Sequence, residues 1–366
     1  MNTTQSNSDA LNAIISIEIK KEDYLPAVDK ALATAKNNAV IKGFRKGFVP
    51  IGVVKKMYGN SILLDELNKK VSDALNKHIE GNKIDMLGRP LPLPSDDIQL
   101  DINNPSDFTF QYEIGLAPSV DVAIDKSTKV TKNVITIDDK TLDEELDKIA
   151  VRYGKVTNEE EVKEGKEPIT EKAVLNQELF DKIYGPGAVN SVEEFREKIR
   201  AELEGFSVSS TNNQFKENIY NTLMNNTKID LPDAFLKRFI KSSNEKPVSD
   251  EQIETEYPMF VKGLKWNLIT DKIVKDNGIK IEMADIKEFS KNALRQQLMM
   301  YNPTGQGLPE ETIDQLNDSL MSKEEHVKKS YDGVLEQKLF TFIEQQITID
   351  EVAVSFADFF DKKENK

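Results

Sequence analysis

The apolar residues of this 366-residue chain recur with two different periods, and the change between them limits the folds open to it. Ile15, Ile17 and Ile19 alternate with polar residues, and Phe108, Phe110, Tyr112 and Ile114 do the same. A period of two marks a half-buried strand. Between these segments the spacing is helical: Leu25, Val28, Leu32 and Ala35 over 23–39, a short stretch over 51–58, then Leu64, Leu67, Val71 and Leu75 over 61–80. Pro90, Pro92 and Pro94 break helicity, and a strand is expected over 98–102. From Leu175 almost to the end the period is helical throughout. The chain reads as α+β: a small N-terminal α+β domain over 1–115, an extended linker with a short acidic loop over 116–171, and a large, mostly α-helical domain over 172–366.

In the helical part, Ser191 and Glu194 have capping-box spacing ahead of Phe195, Ile199 and Leu203. Leu231-Pro232 opens another helix, 250–275 a third with Pro258 interrupting it, and Asn277-Gly278 ends that one. Helices over 283–301, 310–320 and 323–346 follow, with 302–307 as a turn between the first two. Ile347-Thr348-Ile349 is a brief strand, and 353–360 a last apolar turn or helix. Earlier, 115–134 is extended, and 141–153 is a short helix capped by Asp138 or Asp139.

One run interrupts the N-terminal helices: Ile41-Lys42-Gly43-Phe44-Arg45-Lys46-Gly47-Phe48-Val49-Pro50. Gly43 and Gly47 allow positive φ, and Pro50 suits the first turn of the next helix. Two readings follow. The run is an ordinary helix–helix turn with Phe44 folded into the core, or its tip presents Phe44, Arg45 and Lys46 to a phosphate-rich or acidic partner.

The composition narrows the function. Net charge is −14, so nucleic acid is a poor partner for the whole chain, although Arg45, Lys46, Lys55 and Lys56 can form a local basic tip. The chain has no cysteine, which removes disulfides and cysteine-based zinc sites. No apolar run approaches the roughly 20 residues a membrane helix needs. The start, Met1-Asn2-Thr3-Thr4-Gln5, lacks the basic-then-apolar order of a signal peptide. A cytoplasmic protein with no membrane partner is expected.

Gly43-Phe44-Arg45-Lys46-Gly47-x-x-Pro50, preceded by a strand and a helix and followed by a helix ending at Tyr58-Gly59, resembles the ribosome-docking signature of the trigger factor family. These are bacterial chaperones that wait at the polypeptide exit tunnel. The resemblance implies that Gly43, Phe44, Arg45, Lys46, Gly47 and Pro50 dock on the large ribosomal subunit, against a ribosomal protein and rRNA. It implies arm-like C-terminal helices around a cradle for nascent and unfolded polypeptides, and leaves open a homodimer off the ribosome. The family carries an inserted prolyl isomerase domain after the first linker helix. Here about twenty residues, many acidic, separate Tyr153 from Leu175, too few for such a core.

No catalytic constellation, cofactor motif or metal set stands out. The sequence holds no Gly-x-x-x-x-Gly-Lys-Ser/Thr loop, nucleophile elbow or His-Glu-x-x-His. His78 and His326 both read as surface side chains on charged helical faces. Met259, Phe260, Phe289, Met299 and Met300 lie on broad apolar stripes, with Met283, Met321 and Trp266. Such a stripe is either bundle core or an adaptable surface for varied partners. The resemblance favours the second and makes the first five client-binding. The expected function is an ATP-independent chaperone docked at the exit tunnel. The alternatives are a prolyl isomerase chaperone, which the missing insert disfavours, and a ribosome-independent holdase of the periplasmic SurA type, which the signature and the polar start disfavour.

Overall fold

The computed structural model describes residues 1–94, 100–157, 170–244, 246–301 and 308–364. The acidic loop expected at 158–168, the turn at 302–307 and the first part of the strand expected over 98–102 lie outside the described residues. By packing, the chain forms two compact units: Met1–Val120 with Ile229–Leu264, and Asp121–Lys228 with Lys265–Lys366.

The first unit is built on an antiparallel sheet of order β1-β2-β4-β3: β1 (Asn2–Asn7), β2 (Asn12–Ile19), β3 (Met86–Pro92) and β4 (Phe108–Leu116). The alternation in β2 is seen directly, with Ala13, Ile15, Ile17 and Ile19 buried on one face. Helices α1 (Lys21–Asn38) and α2 (Ile51–Gly81) cover that face with Tyr24, Val28, Leu32, Leu63 and Leu67. Each such side chain contributes on the order of 1.5–3 kcal/mol when fully buried.

Several sequence expectations differ from this unit. Helix α2 is continuous through Gly59, where the sequence pattern predicts a break between two helices. A mid-helix glycine costs about 1 kcal/mol against alanine, but here it lets Ile102 lie against the helix, since a Cβ on Gly59 would sit 2.8 Å from Ile102 Cγ2. Asn60 Oδ1 accepts from the Ile102 amide at 3.1 Å beside it. Asp101–Asn104 is a turn rather than a strand, because Asp101 Oδ1 accepts from Asn103 N at 2.9 Å and its carbonyl from Asn104 N at 3.2 Å. Finally, the polar start pairs as the edge strand β1, in register from Asn2↔Glu18 to Asn7↔Ala13.

The opposite face of the sheet receives helix α6 (Asp233–Ser243). Gly115 lies across from Asn12 and Leu87, on the face away from Ile114. Phe235 packs on it so closely that a Cβ at 115 would lie 2.5 Å from the ring. Gly88, at φ +76°, gives Phe239 a second such seat. Arg238 Nη2 donates to both Glu113 carboxylate oxygens, and Arg89 Nη2 donates to the Ser242 carbonyl at 3.0 Å. This contact is why Ile229–Leu264 packs with the N-terminal sheet, whereas the reading along the chain put it in the helical domain.

In the second unit, β5 (Lys129–Ile135) pairs in parallel with β8 (Thr348–Val354), from Lys129↔Thr348 to Ile135↔Val354. The expected linker is thus partly a strand, and the brief strand at Ile347–Ile349 is longer. Lys126 Nζ donates to the carbonyls of Gln345 and Ile347 at 2.6 and 2.9 Å, closing the end of α10 (Glu324–Gln346). Helices α3 (Asp139–Arg152), α4 (Gln177–Tyr184) and α5 (Val192–Asn226) share a core of Leu142, Leu146, Phe180, Phe195 and Ile199. Asp138 caps α3 and Ser191 caps α5, while Glu194 reaches back to Asn190 N at 2.8 Å. Between α3 and α4, β6 (Lys155–Val156) pairs antiparallel with β7 (Thr170–Glu171), where the sequence pattern predicts no strand.

Helix α7 (Asp250–Asp276) passes Pro258 unbroken and ends in the expected glycine cap, with Gly278 at φ +60° and Ile279 N donating to the Val274 carbonyl at 3.1 Å. Helices α8 (Met283–Tyr301) and α9 (Glu310–Met321) pack with α10, and α11 (Phe356–Glu364) stacks Phe360 on Phe206 of α5 at 5.1 Å.

Replacing Gly115 with alanine should destabilise the first unit by about 1–3 kcal/mol through overpacking against Phe235. Urea unfolding measures it, and Phe235→Leu in the same background should recover part of the loss. An unchanged midpoint in Gly115→Ala would mean that the Phe235 contact does not hold α6 to the sheet.

Candidate functional site

The loop between α1 and α2 consists of two successive tight turns. Phe44 N donates to the Ile41 carbonyl at 3.0 Å, and Phe48 N donates to the Arg45 carbonyl at 2.9 Å. The third residue of each turn is a glycine in the left-handed region, Gly43 at φ +92° and Gly47 at φ +84°. That is the position and sign of φ a type II turn requires. The sequence is duplicated accordingly, Lys42-Gly43-Phe44 followed by Lys46-Gly47-Phe48.

Val49, fully buried, ties the end of the loop into the core. Pro50 is the N-cap of α2 rather than a residue of its first turn, and its carbonyl accepts from Val53 N and Val54 N at 3.0 and 3.3 Å. The turns thus hold both aromatic rings outward. Phe44 is 42% exposed and Phe48 72%, with Val40 and Ile51 exposed beside them. Arg45 Cζ lies 5.7 Å from the centroid of Phe48, within cation–π range. Phe44 is therefore not folded into the core.

The electrostatics are local. In a chain with 63 acidic residues, no Asp or Glu occurs between Asp29 and Asp65. Lys36, Lys42, Arg45, Lys46, Lys55 and Lys56 fall in that interval, and among the described residues none of them pairs with a carboxylate. Helix α2 has no acidic residue in its first turn, against the usual preference for anions there. An isolated helix gains nothing from this pattern, so it fits a negatively charged partner.

The apolar candidates divide between the two units. Met259 (81% exposed) and Phe260 belong to the first, and Phe289 and Met299 to the second. The Met300 side chain lies outside the described residues. Phe289 and Met299 line one open cleft of about 890 Å³ between α8 and α10, with Val334 and Phe342 opposite. Phe289 also packs against Gly333 of α10, where a Cβ would collide with its ring. Its ring therefore sets the spacing of α8 and α10 as well as lining the cleft. Asp285, at one end of the cleft, accepts from Lys338 Nζ at 2.5 Å, which holds its carboxyl below the usual range.

His326 is not a surface side chain. It is half-buried, and its Nε2 lies 2.8 Å from the buried Ser290 Oγ, which lies 2.5 Å from Asn317 Oδ1. Asn317 Nδ2 donates to the Lys287 carbonyl at 3.1 Å, so Asn317 Oδ1 must take the one Ser290 proton. His326 Nε2 is then the donor to Ser290. The three side chains join α8, α9 and α10.

Residues 1–149 match the sequence family described as bacterial trigger factor protein, and residues 211–362 match the one described as probable trigger factor, C-terminal domain. The chain belongs to the trigger factor family. A trigger factor of Rickettsia bellii (strain OSU 85-389) is 29% identical over 163 residues, covering 44% of this chain and 36% of that protein. One from Lachnoclostridium phytofermentans is 31% identical over 136 residues, covering 37% of this chain and 31% of that protein. These matches thus span about a third of the relatives' own length. The trigger factor of Chlorobaculum tepidum is 23% identical over 423 residues, covering 92% of this chain and 94% of that protein. That alignment is longer than this chain, so the relative carries segments with no counterpart here. The fold also resembles a solved trigger factor chaperone, described under promiscuous substrate recognition in folding and assembly, at a TM-score of 0.55, 13% identity, 94% of this chain and 99% of that one. The glycine turns at Gly43 and Gly47 are legible in sequence, whereas the exposure of Phe48 is not. The repeated Lys-Gly-Phe triplet and the interval without acids are the signals that mark it.

Replacing Gly47 with valine should raise the energy of the second turn by about 1–2 kcal/mol, the cost of left-handed backbone with a Cβ. Amide hydrogen exchange at Phe48 should quicken roughly tenfold, an effect of backbone strain alone, since nothing lies within 4 Å of a Cβ at 47. Unaltered exchange would show that the turn tolerates a side chain there.

Proposed function

We propose that this chain is a chaperone that docks on the large ribosomal subunit near the exit tunnel through Phe44, Arg45 and Lys46, and shields nascent or unfolded polypeptides on apolar helical surfaces. The observation that carries the reading is the loop itself. Two glycine turns hold an aromatic ring and unpaired cations outward, inside an acid-free interval of a chain with net charge −14. The acidic remainder keeps the molecule from binding RNA indiscriminately, so attraction to phosphate is confined to the tip.

In this reading, 1–115 docks, 116–171 links and 172–366 meets clients. Gly43, Gly47 and Pro50 shape the docking loop. Exposed Met259 and Met299, with Phe260, Phe289 and Met300, are the client-binding residues. Open, shallow and apolar contacts suit segments that share only apolar side chains. Release follows when the client's own core outcompetes these weak contacts. The reading is ATP-independent, because the sequence carries no phosphate-binding loop. It includes no isomerase activity, because the segment between α3 and α4 is too short to bury a catalytic domain. No helix among the described residues is long and apolar enough to cross a membrane, which accords with a cytoplasmic site of action.

Replacing Phe44, Arg45 and Lys46 together with alanine should abolish co-sedimentation with bacterial ribosomes while leaving the circular dichroism spectrum and aggregation suppression intact. Full binding by that variant would refute the docking assignment. In a separate assay, the chain should leave the cis–trans relaxation of a proline peptide at its uncatalysed rate. Acceleration that grows with protein concentration and survives repurification would overturn the non-enzymatic reading.

A further inference from the structure

The loop carries more than the signature triplet. Phe48 occupies in the second turn the place that Phe44 occupies in the first, the last residue of an x-Lys-Gly-Phe turn. It is the more exposed of the two rings, at 72% against 42%, and its exposure is set from both sides in sequence. Gly47 turns the chain outward at φ +84°, and Val49 is fully buried. A ring between an outward turn and a buried anchor has no route into the core. Leaving it in water is unfavourable unless something covers it.

Arg45 covers part of one face, its guanidinium 5.7 Å from the ring centroid. The contact orders both groups. It fixes a long, flexible cation and holds the ring with much of its surface open. Five cations, Lys42, Arg45, Lys46, Lys55 and Lys56, lie within the surrounding segment, without a carboxylate between Asp29 and Asp65. A flat exposed ring braced by a guanidinium, amid cations, is the chemistry of a stacking platform for single-stranded nucleic acid. Every base offers a π face, and the phosphates on either side of it neutralise the lysines.

Building on the docking reading, we propose that Phe48, braced by Arg45, is a second docking residue that stacks on an unpaired base of ribosomal RNA. The interaction is with RNA rather than with an apolar protein pocket. A pocket would need only the volume of the ring and would gain nothing from the unpaired cations beside it.

The test uses the full chain and purified bacterial ribosomes. Phe48→Ala, Phe48→Leu and Phe48→Tyr are compared with the unaltered chain and with the Phe44/Arg45/Lys46 alanine variant. All carry exposed substitutions, and a thermal melt checks that each folds. Alanine and leucine at 48 should each weaken ribosome binding roughly tenfold, while tyrosine stays within about twofold, because stacking needs an aromatic face. A benzophenone amino acid at position 48 should crosslink to ribosomal RNA. The proposal is overturned if Phe48→Leu binds as the unaltered chain does, if Phe48→Ala has no effect, or if the crosslink goes only to a ribosomal protein. The alanine variant of the triplet separates the two claims. Its full binding would sink the docking reading itself, whereas loss in that variant with none in the Phe48 series sinks only the stacking role.

Discussion

The parallel pairing of β5 with β8 is the constraint on which the second unit rests. Parallel strands cannot be joined by a hairpin, so a crossover connection must carry the chain back to the start of its partner. Here the crossover comprises most of the helices, since β5 ends at Ile135 and β8 begins at Thr348. Lys126 reinforces the closure by binding the carbonyls at the end of α10, and Thr348 N donates to the Thr128 carbonyl at 2.9 Å. Asn218 Nδ2 of α5 reaches the Thr131 carbonyl at 2.9 Å, anchoring the long helix on β5. Contacts of such sequence separation form late, because loop-closure entropy is spent before they give anything in return.

The first unit solves a different problem, that of seating helices on both faces of a small sheet. One face uses alternating isoleucines against α1 and α2. The other uses glycines as sockets, Gly88 and Gly115, into which α6 sets Phe239 and Phe235. Absence of a side chain is here as specific as its presence, since only a glycine admits a ring at that distance. Gly59 against Ile102 and Gly333 against Phe289 repeat the device within α2 and between α8 and α10. The glycines of the loop between α1 and α2 work otherwise: nothing lies near a Cβ at 43 or 47, so their demand is conformational alone.

Much of the local structure was legible because local rules decide it. The period of two in β2 and β4, the cap at Asp138, the helix end at Gly278 and the positive φ at Gly43 and Gly47 follow from neighbours in sequence. What was not legible depends on partners far along the chain. Gly59 reads as a break until Ile102 is placed on it. The polar strand β1 has no apolar pattern of its own and exists because β2 offers a free edge. The extent of β8 is set by β5. His326 looked solvated because its partners, Ser290 and Asn317, sit on two other helices. Of the apolar candidates, Met259 and Met299 are exposed as a surface role requires, whereas Phe289 is also a spacer between helices.

The pairing of Lys155–Val156 with Thr170–Glu171 brings the end of α3 and the approach to α4 side by side. Ala173 N donates to the Ala150 carbonyl at 2.8 Å just beyond it. Two stems paired in this way accept joining segments of different length while the helices on either side keep their packing. A framework closed at such a neck tolerates change in the segment it carries without being redesigned.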